Sequence, residues 1–234
     1  MRRPIATLLV ALTTSGCFGA VSTSRSYYVL GSDPATRPPE PSIKGTVRVQ
    51  NLDADAAYEK FQLVVRKNPC ELHYSDLHVW AVKPNQMISD IIARTLLETG
   101  AFEDVFRNLG DRKPTFTLGG DLNAVEIYDS DDLWYAHLAL SLRLTRFEDG
   151  AQLWQMSYDQ RKLVATRTHA QAVRALSELL SAAVRQAYIE LRAKGLEVYD
   201  GEAAPIIREP AQPSSDQDTV DPDEPIFVPE AVPQ

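Results

Sequence analysis

Cys17 is the residue whose type and surroundings suggest the most definite chemistry in this sequence. Two arginines, an apolar segment over 5–12 and the small residues Thr14-Ser15-Gly16 precede it. The apolar segment is too short to cross a bilayer, and this order of residues is typical of an export signal. The small residues before the cysteine resemble a lipobox, at which the signal is cut and the cysteine is acylated. We therefore expect residues 1–16 to be a lipoprotein signal peptide and Cys17 to carry lipid, with an ordinary signal peptide as the alternative.

Acylation of Cys17 would fix where the protein works. Each buried methylene contributes ~0.8 kcal/mol of membrane affinity, so two or three long chains such as palmitate hold a protein at a bilayer. Phe18 stands where an aspartate would direct retention at the inner membrane of enteric bacteria. We therefore expect a lipid-anchored protein at the periplasmic face of the outer membrane, with retention at the inner membrane as the alternative.

The remaining residues with reactive side chains do not form a recognisable catalytic pattern. The four histidines are not spaced as metal ligands usually are. The sequence also lacks a nucleophile elbow, a Walker loop and a dinucleotide fingerprint. Cys70 has no partner if Cys17 is acylated, so we expect a buried or half-buried thiol, with a Cys17–Cys70 disulfide as the alternative. The sequence predicts no catalysis, no metal and no cofactor besides the lipid on Cys17.

Negative charge is concentrated at the carboxyl end of the chain. Of the formal net charge of −8, residues 201–234 contribute −7 from eight acids and one arginine, and they include seven prolines. Such a segment buries too little apolar area to offset its ordering entropy, so we predict an acidic disordered tail. The rest of the chain is nearly neutral and has no electrostatic footprint for nucleic acid.

A long hairpin over 132–160 is the main structural prediction. Apolar residues recur at every second position of its first strand, at Trp134, Ala136, Leu138, Leu140, Leu142 and Leu144. This period of two indicates a strand with one face in a core. The opposite register carries Tyr135, His137, Ser141, Arg143 and Thr145, a face that water or a partner could contact. Glu148-Asp149-Gly150 supplies the turn.

Two helices are predicted, and the second is expected to cover the apolar face of this hairpin. The first begins at Pro84, which suits a first helical turn, and ends at Gly100. The second spans His169–Ala193 behind the cap residue Thr168, with apolar residues on one side only. The predicted fold is α/β (α+β), an antiparallel-rich sheet with two amphipathic helices packed on one face. Its bounds are 46–200, after a tether and Pro-rich passage over 17–45 that includes a short strand at 27–30.

Two short motifs permit a structural or a functional interpretation. Gly119-Gly120 interrupts a predicted strand over 115–128 and indicates a bulge, a bend or a close backbone approach. Asp129 to Asp132 lacks the glycine and the terminal glutamate of an EF-hand, so a solvated turn is favoured over a calcium loop.

Several of these pieces occur together in one known family. After the lipobox come Tyr27-Tyr28-Val29-Leu30, the Tyr74, Trp80, Ala81 and Pro84 pattern leading into a helix, and the LxGxL strand at Leu118, Gly120 and Leu122. With the hairpin ending in Leu153-Trp154 and the Ala-rich last helix, this resembles the ABC-type transport auxiliary lipoprotein family (PqiC-like). The resemblance implies an auxiliary or docking component of a lipid-transport system, whose partners would be an MCE-domain protein and an inner-membrane permease. It also implies self-association into a ring.

Trp80, Tyr135, His137 and Arg143 are the candidate residues for docking a partner. Two other functions stay open from the sequence. One is an outer-membrane assembly lipoprotein that plugs or chaperones a β-barrel. The other is a periplasmic hydrolase, which would require a deep polar pocket.

Overall fold

The computed structural model describes residues 24–31, 43–110 and 113–194. The predicted signal peptide, Cys17, most of the Pro-rich passage and the acidic tail lie outside these residues. Within them, the elements in chain order are β1 (Ser26–Tyr28), β2 (Ile43–Val49), β3 (Asp53–Ala54), β4 (Gln62–Asn68), β5 (Glu71–Trp80), α1 (Pro84–Glu98), β6 (Phe102–Phe106), β7 (Phe116–Ser130), β8 (Leu133–Arg146), β9 (Gln152–Leu163) and α2 (His169–Ala193).

The strand β7 is the centre of a single mixed sheet. Along one edge it pairs with β8 in an antiparallel ladder, and β8 pairs in the same way with β9. Along its other edge β7 pairs in turn with β2, β3 and β4, all parallel to it. The edge strands β6 and β1 add parallel to β2 and β5, and β5 is antiparallel to β4. The predicted fold class is confirmed, with parallel pairings that the sequence pattern did not predict.

Gly120 marks a close approach of two backbones. A Cβ built on this residue would lie 1.9 Å from the carbonyl oxygen of Ser141 on the neighbouring strand β8. The register shift in the pairing of β7 with β8, where a bulge would lie, comes two residues later, between Leu122 and Ala124. Of the three interpretations of the glycine pair, close approach therefore describes Gly120 itself.

Both helices cover the same face of the sheet, as predicted. Pro84 occupies the first turn of α1, and Gly100 after its end has a φ of 62°. The Thr168 hydroxyl caps α2 by accepting a hydrogen bond from the Gln171 N–H at 3.3 Å. The helix α2 packs on β8 and β9, while α1 packs on β2, β6 and α2. The apolar register of β8 and the buried stripe of α2 belong to one core.

The structure corrects two local predictions. Cys70 is exposed, because it lies in the tight turn that joins β4 to β5, where its N–H bonds to the Asn68 side chain. The solvated turn predicted over Asp129 to Asp132 is present at 130–132, which are exposed, but Asp129 itself is only 3% exposed. Its carboxylate pairs with Lys67 and Arg167, which offsets the cost of its burial.

Candidate docking surface

The side of the sheet away from the helices carries polar residues of β7, β8 and β9, here called the polar face. Cross-strand neighbours on it include Glu126 opposite His137 and Asp121 opposite Ser141. Because side chains alternate along a strand, the residues between those of the helix-covered core project to this side. The predicted alternation of β8 thus brings Tyr135, His137 and Arg143 onto one surface.

Glu126 is the centre of a buried hydrogen-bond network on the polar face. It is 1% exposed and accepts three bonds: from the Tyr58 hydroxyl at 2.5 Å, from Arg66 Nε at 2.7 Å and from His137 Nδ1 at 2.9 Å. Burial alone would raise the pKa of this carboxyl group, but the bonds from His137, Arg66 and Tyr58 outweigh it and lower the pKa to about 2. The group is therefore an anion held in place by donors from β4, from β8 and from the loop between β3 and β4.

His137 bridges this network to the surface. Its Nε2 lies 2.9 Å from a carboxylate oxygen of Asp159, whose side chain is 75% exposed. Burial lowers the pKa of His137, but the bonds to Glu126 and Asp159 raise it above its ordinary value. A carboxylate oxygen lies within hydrogen-bond distance of each ring nitrogen, so both nitrogens are occupied by partners within the protein. His137 therefore links the buried Glu126 to the exposed Asp159.

A second, more exposed group lies further along the same face. The Asp121 carboxylate accepts bonds from the Ser141 hydroxyl at 2.8 Å and from Arg143 Nη1 at 2.9 Å. At the other end, the Arg161 guanidinium lies 4.7 Å from the centre of the Tyr128 ring. The polar face thus presents fixed charges of both signs together with aromatic rings.

The predicted candidates differ in how accessible they are. Trp80 lies on β5, away from the polar face, and is 1% exposed, while His137 is 8% exposed. Neither side chain is open to a partner in this conformation, because Trp80 packs in the core and His137 is enclosed by its carboxylates. Tyr135 and Arg143 are partly exposed. Docking through them stays a prediction, and Cys17 lies outside the described residues.

Four residues of this network were not predicted from the sequence: Tyr58, Arg66, Glu126 and Asp159. The sequence does contain a signal for Glu126, because it is the one charged residue within the buried run from Ala124 to Ile127. A charged residue in such a run indicates a partner from elsewhere in the chain. Nothing in the sequence identified Arg66 as that partner.

The opposite, helix-covered side holds a second histidine cluster at the start of α2. The rings of His78 and His169 stack with their centres 3.7 Å apart. The Tyr28 hydroxyl lies 3.0 Å from His78 Nδ1, and the Trp134 ring meets His169 edge-on. Burial and the neighbouring His78 lower the pKa of His169 to about 4.

None of the helices among the described residues is long and apolar enough to span a membrane. Among the same residues, His, Cys, Asp and Glu side chains do not gather in threes or more in a way that could hold a metal ion.

The sequence from 28 to 187 matches the family model for the ABC-type transport auxiliary lipoprotein component. The chain belongs to this family, which confirms the resemblance inferred from its motifs. Among curated proteins, none matches the sequence.

Two solved structures share the fold. Protein XCC0632 from Xanthomonas campestris is 18% identical, with a TM-score of 0.64 over 73% of this chain and 96% of its own. An uncharacterised protein is 12% identical, with a TM-score of 0.58 over 72% of this chain and 99% of its own. At these identities the likeness establishes the architecture alone.

Proposed function

We propose that this auxiliary lipoprotein is a non-catalytic docking component of an MCE-type ABC system that moves lipid between the inner and outer membranes. Lipid on Cys17 holds it at the periplasmic face of the outer membrane. The family match over 28–187 is the observation that carries the proposal. The sequence ahead of Cys17 and the phenylalanine after it support the anchor and its location.

The polar face is the surface we assign to the partner. Its charged groups are fixed by hydrogen bonds, so little side-chain entropy is lost when a partner binds. Arg143 and Asp121 are both partly exposed, with 41% and 36% of their side chains accessible. Tyr135 adds an aromatic side chain of the type enriched at interfaces.

Site-specific photo-crosslinking in cells tests this assignment. A photoreactive amino acid at Tyr135 is expected to capture an MCE-domain protein or a permease, identified by mass spectrometry. The matched control is Arg174 on α2, whose side chain is 74% exposed on the opposite side of the sheet. Equal capture at both positions would remove the polar face from the proposal, and capture of an outer-membrane barrel protein would favour an assembly lipoprotein instead.

The anchor and the ring require separate experiments. Metabolic labelling with an alkyne fatty acid is expected to mark the wild-type protein and to be lost in Cys17→Ser. Native mass spectrometry of the purified protein tests self-association, and a strictly monomeric species at all concentrations would contradict the ring.

A further inference from the structure

Arg48 on β2 is a partly buried cation without a partner among the described residues. Its Nε is buried and donates no hydrogen bond, and no described carboxylate lies within ion-pair distance of its guanidinium group. Arg66 and Arg107, which are also partly buried, each donate from Nε to a carboxylate. Folding has therefore taken part of the Arg48 charge out of water without supplying the acceptor that normally offsets this cost.

Register and a close approach place Arg48 at the β2 border of the polar face. Both of its neighbours on β2 are valines of the helix-covered core, so alternation turns the Arg48 side chain to the other side of the sheet. Arg48 pairs with Thr117 of β7. Two residues further along, a Cβ built on Gly119 would lie 3.1 Å from Gln50 Oε1, which shows that side chains of β2 and β7 share this side.

A second arginine lies across β7 from Arg48. Gly119 pairs directly with Arg143 of β8, so the two arginines flank β7 within two residues of each other in register. Neighbouring strands are ~4.8 Å apart, which puts the backbones of β2 and β8 about 10 Å from each other. Arg143 donates to Asp121 through Nη1, and its other guanidinium nitrogens make no bond to a described residue. Two arginines with unused N–H groups therefore flank a strand position that has no side chain.

A carboxylate-bearing segment of a protein matches this arrangement. A carboxylate accepts two parallel N–H bonds from one planar guanidinium group. The surface is the open side of a sheet, whereas sites for small ligands are concave. Arginine and tyrosine are enriched where protein partners bind most strongly, and the same face presents Tyr135. Because Arg48 is already partly dehydrated in the free protein, less of its hydration is lost when a partner binds.

We propose that the arginines on the two sides of Gly119 bind an acidic segment of the docking partner. One aspartate or glutamate carboxylate of that segment bonds to the outer nitrogens of Arg48, and a second bonds to Arg143. Binding then supplies the acceptor that Arg48 lacks in the free protein. The inference rests on the proposed function for the identity of the partner, and it names the chemistry of the surface which that partner presents.

The stability of the free protein tests whether Arg48 lacks an internal partner. The protein is the chain from residue 17 onward with Cys17→Ser, which retains every described residue. Arg48→Met removes an uncompensated charge and keeps the apolar bulk, so its urea midpoint should equal or exceed that of the parent. Arg66→Met removes a donor to the buried Glu126 and, as the matched control, should unfold at clearly lower urea. An equal loss in both variants would overturn the proposal.

Arginine side-chain signals in a proton–nitrogen spectrum measure binding at this site. Hexaglutamate is expected to move the Arg48 Nε–H signal, assigned with Arg48→Met. The Arg107 signal should stay, because its Nε already bonds to Asp90 at 2.8 Å. Arg48→Met should weaken hexaglutamate binding about tenfold, as expected for a lost charge-assisted bond. An uncharged hexapeptide of serine and glycine should not bind, and inorganic phosphate should bind much more weakly than hexaglutamate.

Photo-crosslinking from Thr117, beside Arg48 in the sheet, tests the site in cells. The captured peptide is expected to contain aspartate or glutamate, and Arg48→Met should reduce its yield about tenfold, matching the loss of hexaglutamate affinity. Arg174→Gln on α2 is the control and should leave the yield unchanged.

Three results would overturn the proposal: an unmoved Arg48 signal, equal binding of phosphate and hexaglutamate, or capture at Thr117 of a lipid or of a peptide without carboxylates. Partner capture at Tyr135 that Arg48→Met leaves unchanged would keep the docking proposal and remove the acidic segment. Hexaglutamate binding without any partner captured at Tyr135 would keep the carboxylate-binding surface and remove the docking proposal.

Discussion

The two faces of the sheet hold histidines in opposite electrostatic settings. On the polar face, His137 lies between the carboxylates of Glu126 and Asp159. On the helix-covered side, His169 stacks on another imidazole, that of His78, beside the Trp134 ring. Burial disfavours the charged form of both histidines, so the difference comes from their neighbours.

This contrast gives the two clusters opposite pH dependence. The pKa of His137 is raised in the folded protein, so its contribution to stability is full below pH 6.5 and is lost as the pH rises through the raised value. The pKa of His169 is lowered to about 4, so its contribution is full above pH 6.5 and is lost as the pH falls toward 4. Together they favour greatest stability near the ordinary histidine pKa.

The largest loss of stability is expected from removing the negative charge of Glu126 on the polar face. Glu126→Gln keeps the shape of the side chain but leaves His137 and Arg66 without their buried counter-charge. Breaking a buried ion pair in this way costs about 3–5 kcal/mol. Urea unfolding monitored by circular dichroism measures it. A loss no larger than that of Asp121→Asn, in an exposed pair, would show that the network is not buried in solution.

A smaller loss of stability is expected from the stacked pair His78 and His169, and only below pH 6.5. Between pH 6.5 and about 4 the free energy of unfolding of the wild type should fall by about 2–3 kcal/mol through His169. His169→Gln has no titrating ring and should remove most of that slope. Unfolding curves at several pH values in this range give the comparison. An unchanged slope would assign the acid sensitivity to other groups.

The His137→Gln variant tests whether His137 causes the loss of stability above pH 6.5. The wild type is expected to lose stability as the pH rises above 6.5, and this variant should lose that dependence while keeping the acid slope. Because Glu126 retains Arg66 and Tyr58 as donors, the change should be smaller than for Glu126→Gln. If both histidine variants flattened the same side of the profile, the two clusters would not be electrostatically distinct.

The same contrast shows how much of the site the sequence could reveal. The hairpin and both helices were predictable because their apolar periods, such as Ala136 to Leu144 in β8, are local properties of the chain. The polar face followed from the alternate register. The parallel pairing of β2, β3 and β4 along β7 was not predictable, since partners distant in the chain leave no period in either segment.

The distant partners are also what make each histidine distinctive. His137 was identified from its strand, but its charge depends on Glu126 and Asp159, which belong to two other strands. His169 was recognised only as a helix start, and its stack on His78 depends on the docking of α2 near the end of β5. The titratable side chains could be identified from the sequence, whereas the neighbours that shift each pKa could not.

The smallest effect on stability is expected at Arg143, a residue that we assign to docking. Its ion pair with Asp121 is exposed, and such pairs contribute about 0–1 kcal/mol, so Arg143→Gln should unfold almost like the wild type. The proposed docking role predicts that this variant nevertheless loses most of the crosslink from Tyr135. Arg174→Gln, in an exposed pair on α2, should change neither property. If Arg143→Gln gives as much crosslink from Tyr135 as the wild type, Arg143 does not take part in docking. A residue that affects neither stability nor partner binding would then serve only to keep the polar face solvated.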